Sequence, residues 1–358
     1  MMIKIGFVVN PYAGSGGRTG LKGSDNLKIL NPETPNKVGR FLSLAPKENV
    51  IYITPSGRMG EYYFANYKNI KRIVMRDVGS KEVTDSEDTV IAVREAIRLG
   101  AEIIIFAGGD GTARDVVKGL GENKNIPILG IPTGVKMHSG VFAETPEAAA
   151  KILDDIVRGD FQLVEAEILD VDEDEYRRGN YVAKLYGYAL TIKSKYIVPS
   201  KEEIKSNPEE LEEIAAYIIE NMIDGVYYIM GPGSTVKYIE RKLGIETNFL
   251  STDILLNKKL IKNNVNYMDL LKIQGDLKII ITPIGSQGFL FGRGNQEIGP
   301  EVIRKAGKSN IIVVSTKEKI RSIECLRIDT GDPSLDEALK GVYRVVIGYD
   351  EFYAIRTC

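Results

Sequence analysis

Residues 103–115 read Ile103-Ile104-Ile105-Phe106-Ala107-Gly108-Gly109-Asp110-Gly111-Thr112-Ala113-Arg114-Asp115. The four leading apolar residues predict a strand buried on both faces, and Val116, Val117 and Leu120 continue with a helical pattern. A strand, a glycine turn and a helix N-terminus make an anion site. Glycine lets backbone N–H groups crowd a phosphate, and the helix dipole favours negative charge there. Gly108, Gly109, Gly111 and Thr112 are therefore candidate nucleotide-phosphate contacts. An acid in such a cradle repels the ligand unless it holds Mg²⁺ or orients an attacking hydroxyl. Asp110 is thus the candidate catalytic residue, with a metal role open beside it. The bland alternative is a turn aspartate that caps its loop. The apolar strand, the flanking glycines and a second turn at Asn10 favour the nucleotide reading.

The first 135 residues alternate strand and helix patterns. Strands are predicted at Ile3–Val9, Val50–Thr54, Ile70–Met75, Ile103–Phe106 and Ile126–Ile131. Thr84-x-x-Glu87 reads as a capping box before a helix with Val90, Val93, Ala96 and Ile97 on one face. The implied fold is α/β, a doubly wound parallel sheet over residues 1–145, with ligands beyond the carboxyl ends of its strands. Asn10, Arg58 and Asp110 fall at that edge. Asn10-Pro11 leads into Gly14, Gly16 and Gly17, a second candidate nucleotide turn; an Asx turn is the alternative role for Asn10. Residues 18–28 are long for a connection and read as a flap or a solvated loop.

The pattern changes near 145, and residues 146–358 are expected to form a second, mixed and β-rich domain. It opens with a helix at Ala148–Val157, a strand from Phe161 to Val171, a hairpin tip at Asp170–Glu175 and a strand at Tyr181–Ile192. A Glu-rich helix follows at Glu202–Met222. Val226–Met230, the Gly231–Thr235 turn and the helix Val236–Leu243 repeat the strand–glycine–helix arrangement. That turn is either a second anion site or a tight turn capped by Ser234 or Thr235. Further strands are Ile279–Ile284, Ile311–Ser315 and Val342–Ile347. Lys136 and the single histidine, His138, follow the fifth strand and are candidates for binding acceptor or phosphate. Arg293, Asn295 and Gln296, in a glycine-rich loop, are candidate acceptor contacts.

The chain has 358 residues and a formal net charge of −2, enough length for two cores and no global field toward nucleic acid or membrane. Basic and acidic residues are interspersed, which argues against a nucleic-acid footprint. Cys325 and Cys358 lack zinc-type spacing, so a reducing cytoplasm is the expected setting. A strand by Ile3 leaves no room for a signal peptide, and no apolar run reaches membrane length. Gly307-Lys308-Ser309 imitates a P-loop ending, but the required first glycine falls at Val302. The dinucleotide fingerprint begun at Gly14 ends at Thr19 rather than glycine, against an oxidoreductase.

Gly108-Gly109-Asp110-Gly111-Thr112 resembles the nucleotide signature of the NAD kinase and diacylglycerol kinase superfamily, and Asn10-Pro11 with Gly14-Ser15-Gly16-Gly17 is similar to its Asn-Pro-glycine turn. Gly134–Ser139, Gly231–Thr235 and Gln287–Gln296 look like the ATP-NAD kinase-like, AcoX-like group. The resemblance implies an NAD-kinase-like fold, ATP and Mg²⁺ as cofactors, a second domain completing a cleft, a C-terminal end packing back on the first domain, and a homo-oligomer. Arg114 departs from the apolar residue usual after this motif, and Tyr181–Tyr186 does not match the segment that grips the ribose of NAD. The expectation is an ATP- and Mg-dependent kinase acting on a small-molecule hydroxyl, with hydroxy acids among the acceptors because Lys136 and Arg293 suit a carboxylate. The alternatives are NAD kinase and a non-catalytic nucleotide-binding regulatory protein.

Overall fold

The buried strands alternate their side chains between two cores even where every residue is apolar. In the computed structural model, β1 (Ile3–Val9) sends Ile5, Phe7 and Val9 to one side and Val8 to the other. This period of two is dictated by the pleat and gives a sheet that needs helices on both faces. Residues 2–15, 29–134, 137–171, 183–197, 207–284 and 288–358 are described. Gly16, Gly17 and Lys136 therefore lie outside the described residues, as do the 18–28 stretch and the predicted hairpin tip beyond residue 171.

After β1 come α1 (Thr34–Leu44), β2 (Val50–Pro55), β3 (Arg72–Met75), α2 (Ser86–Arg98), β4 (Ile103–Gly108), α3 (Asp110–Leu120), β5 (Ile128–Pro132), α4 (Pro146–Arg158) and the hairpin β6 (Leu163–Val171) and β7 (Ala183–Ile192). The five strands β1 to β5 form one parallel sheet in the order β3-β2-β1-β4-β5. Val38, Phe41 and Leu42 of α1 join Ala149, Ile152 and Leu153 of α4 on one face. Ala92, Val93 and Ala96 of α2 join Ala113, Val116 and Leu120 of α3 on the other. Each such large side chain stabilises the fold by about 1.5–3 kcal/mol.

Two expectations are corrected in this unit. The cap of α2 is Asp85, one residue after Thr84. Its carboxylate accepts from the N–H groups of Glu87 and Asp88 at 2.9 and 3.1 Å, and Asp88 accepts from the Asp85 N–H at 3.0 Å. A carboxylate also complements the helix dipole, which a threonine does not. Secondly, the break between units falls after Ile197 among the described residues rather than at 145. The reason is that α4 packs on α1 and β5, so the helix after 145 completes the first core.

The second unit holds α5 (Pro208–Glu220), β8 (Tyr227–Met230), α6 (Ser234–Lys242), β9 (Asp253–Leu256), β10 (Lys259–Lys262), α7 (Tyr267–Leu271), β11 (Leu277–Ile281), β12 (Phe289–Phe291), α8 (Pro300–Ala306), β13 (Ile311–Val314), α9 (Lys317–Arg321), β14 (Arg327–Ile328), α10 (Pro333–Leu339), β15 (Val342–Gly348) and β16 (Glu351–Arg356). Its main sheet runs β10-β9-β8-β11-β13-β15-β16. β8, β11, β13 and β15 are parallel and the outer strands antiparallel, so the sheet is mixed as expected. α5 and α6 cover one face, and α8, α9 and α10 the other. The Ser234 or Thr235 cap is not formed. Gly233 is the N-cap of α6, and no side chain bonds the cap.

Cys325 and Cys358 are joined by a disulfide with Cα atoms 5.5 Å apart. The cysteines therefore do not support the reducing compartment that their spacing suggests. Thirty-three residues separate them, and only the fold brings β14 and the end of β16 together. Among the described residues, no helix is long and apolar enough to cross a membrane.

A buried ionic cluster ties α6 to β9. Lys237 Nζ donates to both Glu240 oxygens at 3.1 Å and to Asp253 Oδ2. Thr247 donates to Glu240, and Ser251 to Asp253 at 2.8 Å. Two carboxylates face one ammonium, and burial pushes the Glu240 carboxyl up to about 7 from 4.5. The folded state thus keeps a proton that the unfolded chain releases. This contribution is complete below pH 4.5 and is lost as the pH rises through about 7. Urea unfolding of the wild type is expected to show lower stability at pH 8 than at pH 5, with E240Q showing a smaller difference. Equal pH dependence in both would assign the effect to other groups.

Candidate functional site

In the order β3-β2-β1-β4-β5, the chain direction across the sheet reverses between β1 and β4. Loops leaving that point diverge and open a crevice beyond the strand ends. Asn10 leaves β1 there, and Gly109 and Asp110 leave β4. The two turns are joined directly, since Asn10 Nδ2 donates to Thr112 Oγ1 at 3.0 Å. Asn10 Oδ1 also accepts from the Tyr12 N–H at 3.0 Å, so the Asx turn and the link to α3 coexist.

A third turn closes on the same point. The N–H groups of Thr133 and Gly134 donate to Gly108 O at 3.1 and 3.0 Å. A Cβ on Gly134 would sit 2.6 Å from Gly109 Cα, so backbone meets backbone. Gly14 has φ +78°, and a Cβ there would lie 2.2 Å from Thr133 O. Only glycine fits either place. Asn31, which lies just before α1, fastens the belt by donating to Ala13 O at 2.7 Å and Thr133 O at 3.4 Å. Lys37 reaches Pro132 O at 3.0 Å.

Asp110, the first residue of α3, is 4 % exposed. Oδ2 accepts from the His138 N–H and pairs with His138 Nδ1, both at 2.7 Å. Oδ1 accepts from the Ser139 N–H at 3.0 Å and Ser139 Oγ at 2.8 Å. Ser139 Oγ in turn accepts from the Leu169 N–H of β6 at 3.0 Å and lies 2.9 Å from Leu169 O, which shares the single hydroxyl proton with Asp110. Four bonds on one carboxylate make a latch between the head of α3, the 137–139 turn and the hairpin. His138, 2 % exposed, is part of that latch. Asp110, expected as the catalytic residue, and His138, expected to bind acceptor or phosphate, here bond each other in a buried network.

Three hydroxyls beside this belt, Ser15 Oγ, Thr34 Oγ1 and Thr133 Oγ1, are buried and have no hydrogen-bond partner among the described residues. Glycine turns that a Cβ would block, hydroxyl donors and the N-terminus of α3 together suit phosphate groups. Among the described residues there is no group of three or more metal-ligating side chains.

Arg293 and Asn295 belong to the second unit. Arg293 is 2 % exposed and lies 4.1 Å over the Phe289 ring. Asn295 donates to Leu290 O at 2.7 Å and accepts from the Gly292 N–H at 3.2 Å, shaping its own loop. The sequence reading passed over Ser139, Asn31 and Thr133. Ser139 stands in the segment quoted with His138, but its partner Leu169 lies 30 residues away. Asn31 signals itself only as a buried polar residue before a helix.

The first unit is a doubly wound α/β unit with a glycine turn at its switch point, an arrangement suited to phosphate groups. Residues 5–161 match the family described as the ATP-NAD kinase N-terminal domain, and residues 223–357 that described as the ATP-NAD kinase C-terminal domain. The chain belongs to the NAD kinase/diacylglycerol kinase-like superfamily. It is also similar, at 36 % identity over 73 residues, to a diacylglycerol kinase of Staphylococcus carnosus (strain TM300). That match spans 20 % of this chain and 24 % of the relative, so the chain spans about a quarter of the length of the curated relative it matches.

Proposed function

We propose that this protein is an ATP- and Mg²⁺-dependent kinase that phosphorylates a hydroxyl of a small molecule, with short hydroxy acids among the acceptors. The observation that carries this reading is the strand–glycine–helix turn at the switch point, where β4 ends, α3 begins at Asp110 and Asn10 of the neighbouring turn bonds Thr112. ATP with Mg²⁺ supplies the phosphoryl group and neutralises part of its charge. The chain's own share is positioning and fixed dipoles, the main requirement of phosphoryl transfer. Gly109, Gly111 and Thr112 present the α3 N-terminus to phosphate oxygens. Asn10 holds Thr112, and Asp110 holds His138 and Ser139, so that the cradle keeps one shape. The protein is proposed to act as a homo-oligomer in the cytoplasm.

NAD as acceptor is the second reading, favoured by the description of both matched families as ATP-NAD kinase domains. The test is ATP consumption with Mg²⁺ against NAD, NADH, glycerol-type polyols and short hydroxy acids. Turnover with a small hydroxyl compound is the expected result. Turnover with NAD alone would establish the second reading. ATP binding without turnover would instead favour a regulatory protein, and absence of ATP binding would end the proposal.

A further inference from the structure

Beside the buried latch, α3 carries an open polar shelf. Arg114 lies one helical turn beyond Gly111, on the same side of the helix. Its guanidinium NH1 is 3.2 Å from Asp170 Oδ2, and its centre is 5.0 Å from the Tyr186 ring centroid. Both partners belong to the hairpin β6–β7. The Arg114 side chain remains 39 % exposed, against 14 % for Asp170. At Gly111 the only heavy atom within 4 Å of a built Cβ is Asp170 Oδ2, at 3.9 Å. The shelf is therefore roomy where the cradle behind it is tight.

Such an arginine is built to receive something. Asp170 pairs with the guanidinium, the Tyr186 side chain hydrogen-bonds it and Asp115 adds negative charge beside it, so the fork is held before any ligand arrives. Its remaining N–H donors suit a planar carboxylate or a phosphate, which arginine grips with two parallel bonds. Asp170 repels an anion laid against it and so restricts the approach to the exposed side of Arg114. A neutral acceptor has no use for this arrangement.

We propose that Arg114, oriented by Asp170 and Tyr186, is the specificity-determining residue for the phosphoryl acceptor, and that the acceptor is a small hydroxyl compound bearing a carboxylate or phosphate. The proposal rests on the kinase reading above. In the reaction it serves, the acceptor oxygen forms a bond to the terminal phosphorus of ATP while the bond from that phosphorus to the ADP oxygen breaks. ADP departs and the hydroxyl proton leaves to water. Arg114 touches only the anionic end of the acceptor and positions its hydroxyl toward the cradle.

Glycerol, glycerate and glycerol 3-phosphate share one carbon skeleton and differ in the anion, and their binding to the full chain is measured by calorimetry with ADP and Mg²⁺ present. The wild type is expected to bind one of the two anionic probes at least about tenfold more tightly than glycerol. Tighter binding of glycerate identifies a carboxylate acceptor, and of glycerol 3-phosphate a phosphorylated one. R114Q should lose that preference while keeping its affinity for ADP and its melting temperature. R114K should recover only part of it, because an ammonium cannot make the paired bonds. An R114Q protein that keeps the preference, or a wild type that binds neither anion better than glycerol, overturns the proposal. ATP consumption is read in parallel. An intact preference without turnover would fault the kinase reading and leave the Arg114 assignment standing.

Discussion

Asp110→Asn is expected to lower ATP turnover by at least about 10²-fold, because a displacement near 1 Å of the positioning groups already has that effect. The carboxylate accepts from the backbone N–H groups of His138 and Ser139, one on each oxygen, and pairs with His138 Nδ1 and Ser139 Oγ. An amide of the same shape has one acceptor atom and one donor atom. Whichever way it turns, one backbone N–H, that of His138 or of Ser139, loses its acceptor and meets an N–H instead. The site is buried, so water does not replace the lost bonds, and hydrogen bonds to a charged group are worth about 1.5–3 kcal/mol each. A loss of about 3–5 kcal/mol in stability is expected alongside the kinetic effect, within the range for breaking a buried network. Denaturant unfolding and ATP consumption on the same preparation measure the two. Turnover within threefold of wild type would show that the latch is dispensable to the chemistry.

Gly134→Ala is expected to damage nucleotide binding more than stability. Its backbone does not need the left-handed region, so the effect is one of space. The added methyl meets Gly109 Cα at 2.6 Å and Gly109 N at 3.2 Å. Gly109 is the N-cap of α3, and moving it moves the N–H groups proposed to face the phosphates. Overpacking of this kind costs about 1–3 kcal/mol. ATP affinity should fall by tenfold or more, since fixed N–H groups lose their aim. Gly39→Ala is the matched control. It lies within α1 with its nearest contact an ordinary 3.7 Å to Tyr67 Oη, and should stabilise by about 0.5–1 kcal/mol. Equal ATP affinity in the two variants would remove the cradle from the binding site.

Local pattern carried the first unit well. The run Ile103–Phe106 predicts a doubly buried strand, and the strand is there, sending Ile103 and Ile105 to one core and Ile104 and Phe106 to the other. The glycine turn after it opens a helix, as its composition requires. Cap positions were less legible. Asp85 and Thr84 are both good caps by composition, and the difference is one residue of register that packing sets. The unit boundary was harder still. The pattern does change near 145, yet α4 closes the first core because its apolar stripe of Ala149, Ile152 and Leu153 faces α1.

Sequence by itself determined the chemistry available at the site: which turns are glycine, which strand precedes them, and that one aspartate and one histidine stand close to the strand ends. These are local properties, fixed by side-chain size, backbone freedom and hydropathy period. Tertiary structure alone decided what those groups do. His138 and Ser139 meet Asp110 across 28 and 29 residues, Cys325 meets Cys358 across 33, and Arg114 is held by Asp170 and Tyr186 from another element. Such pairings depend on how the chain closes its loops. A loop's closure entropy varies only slowly with its length, so sequence spacing does not select one partner over another. The packed core does.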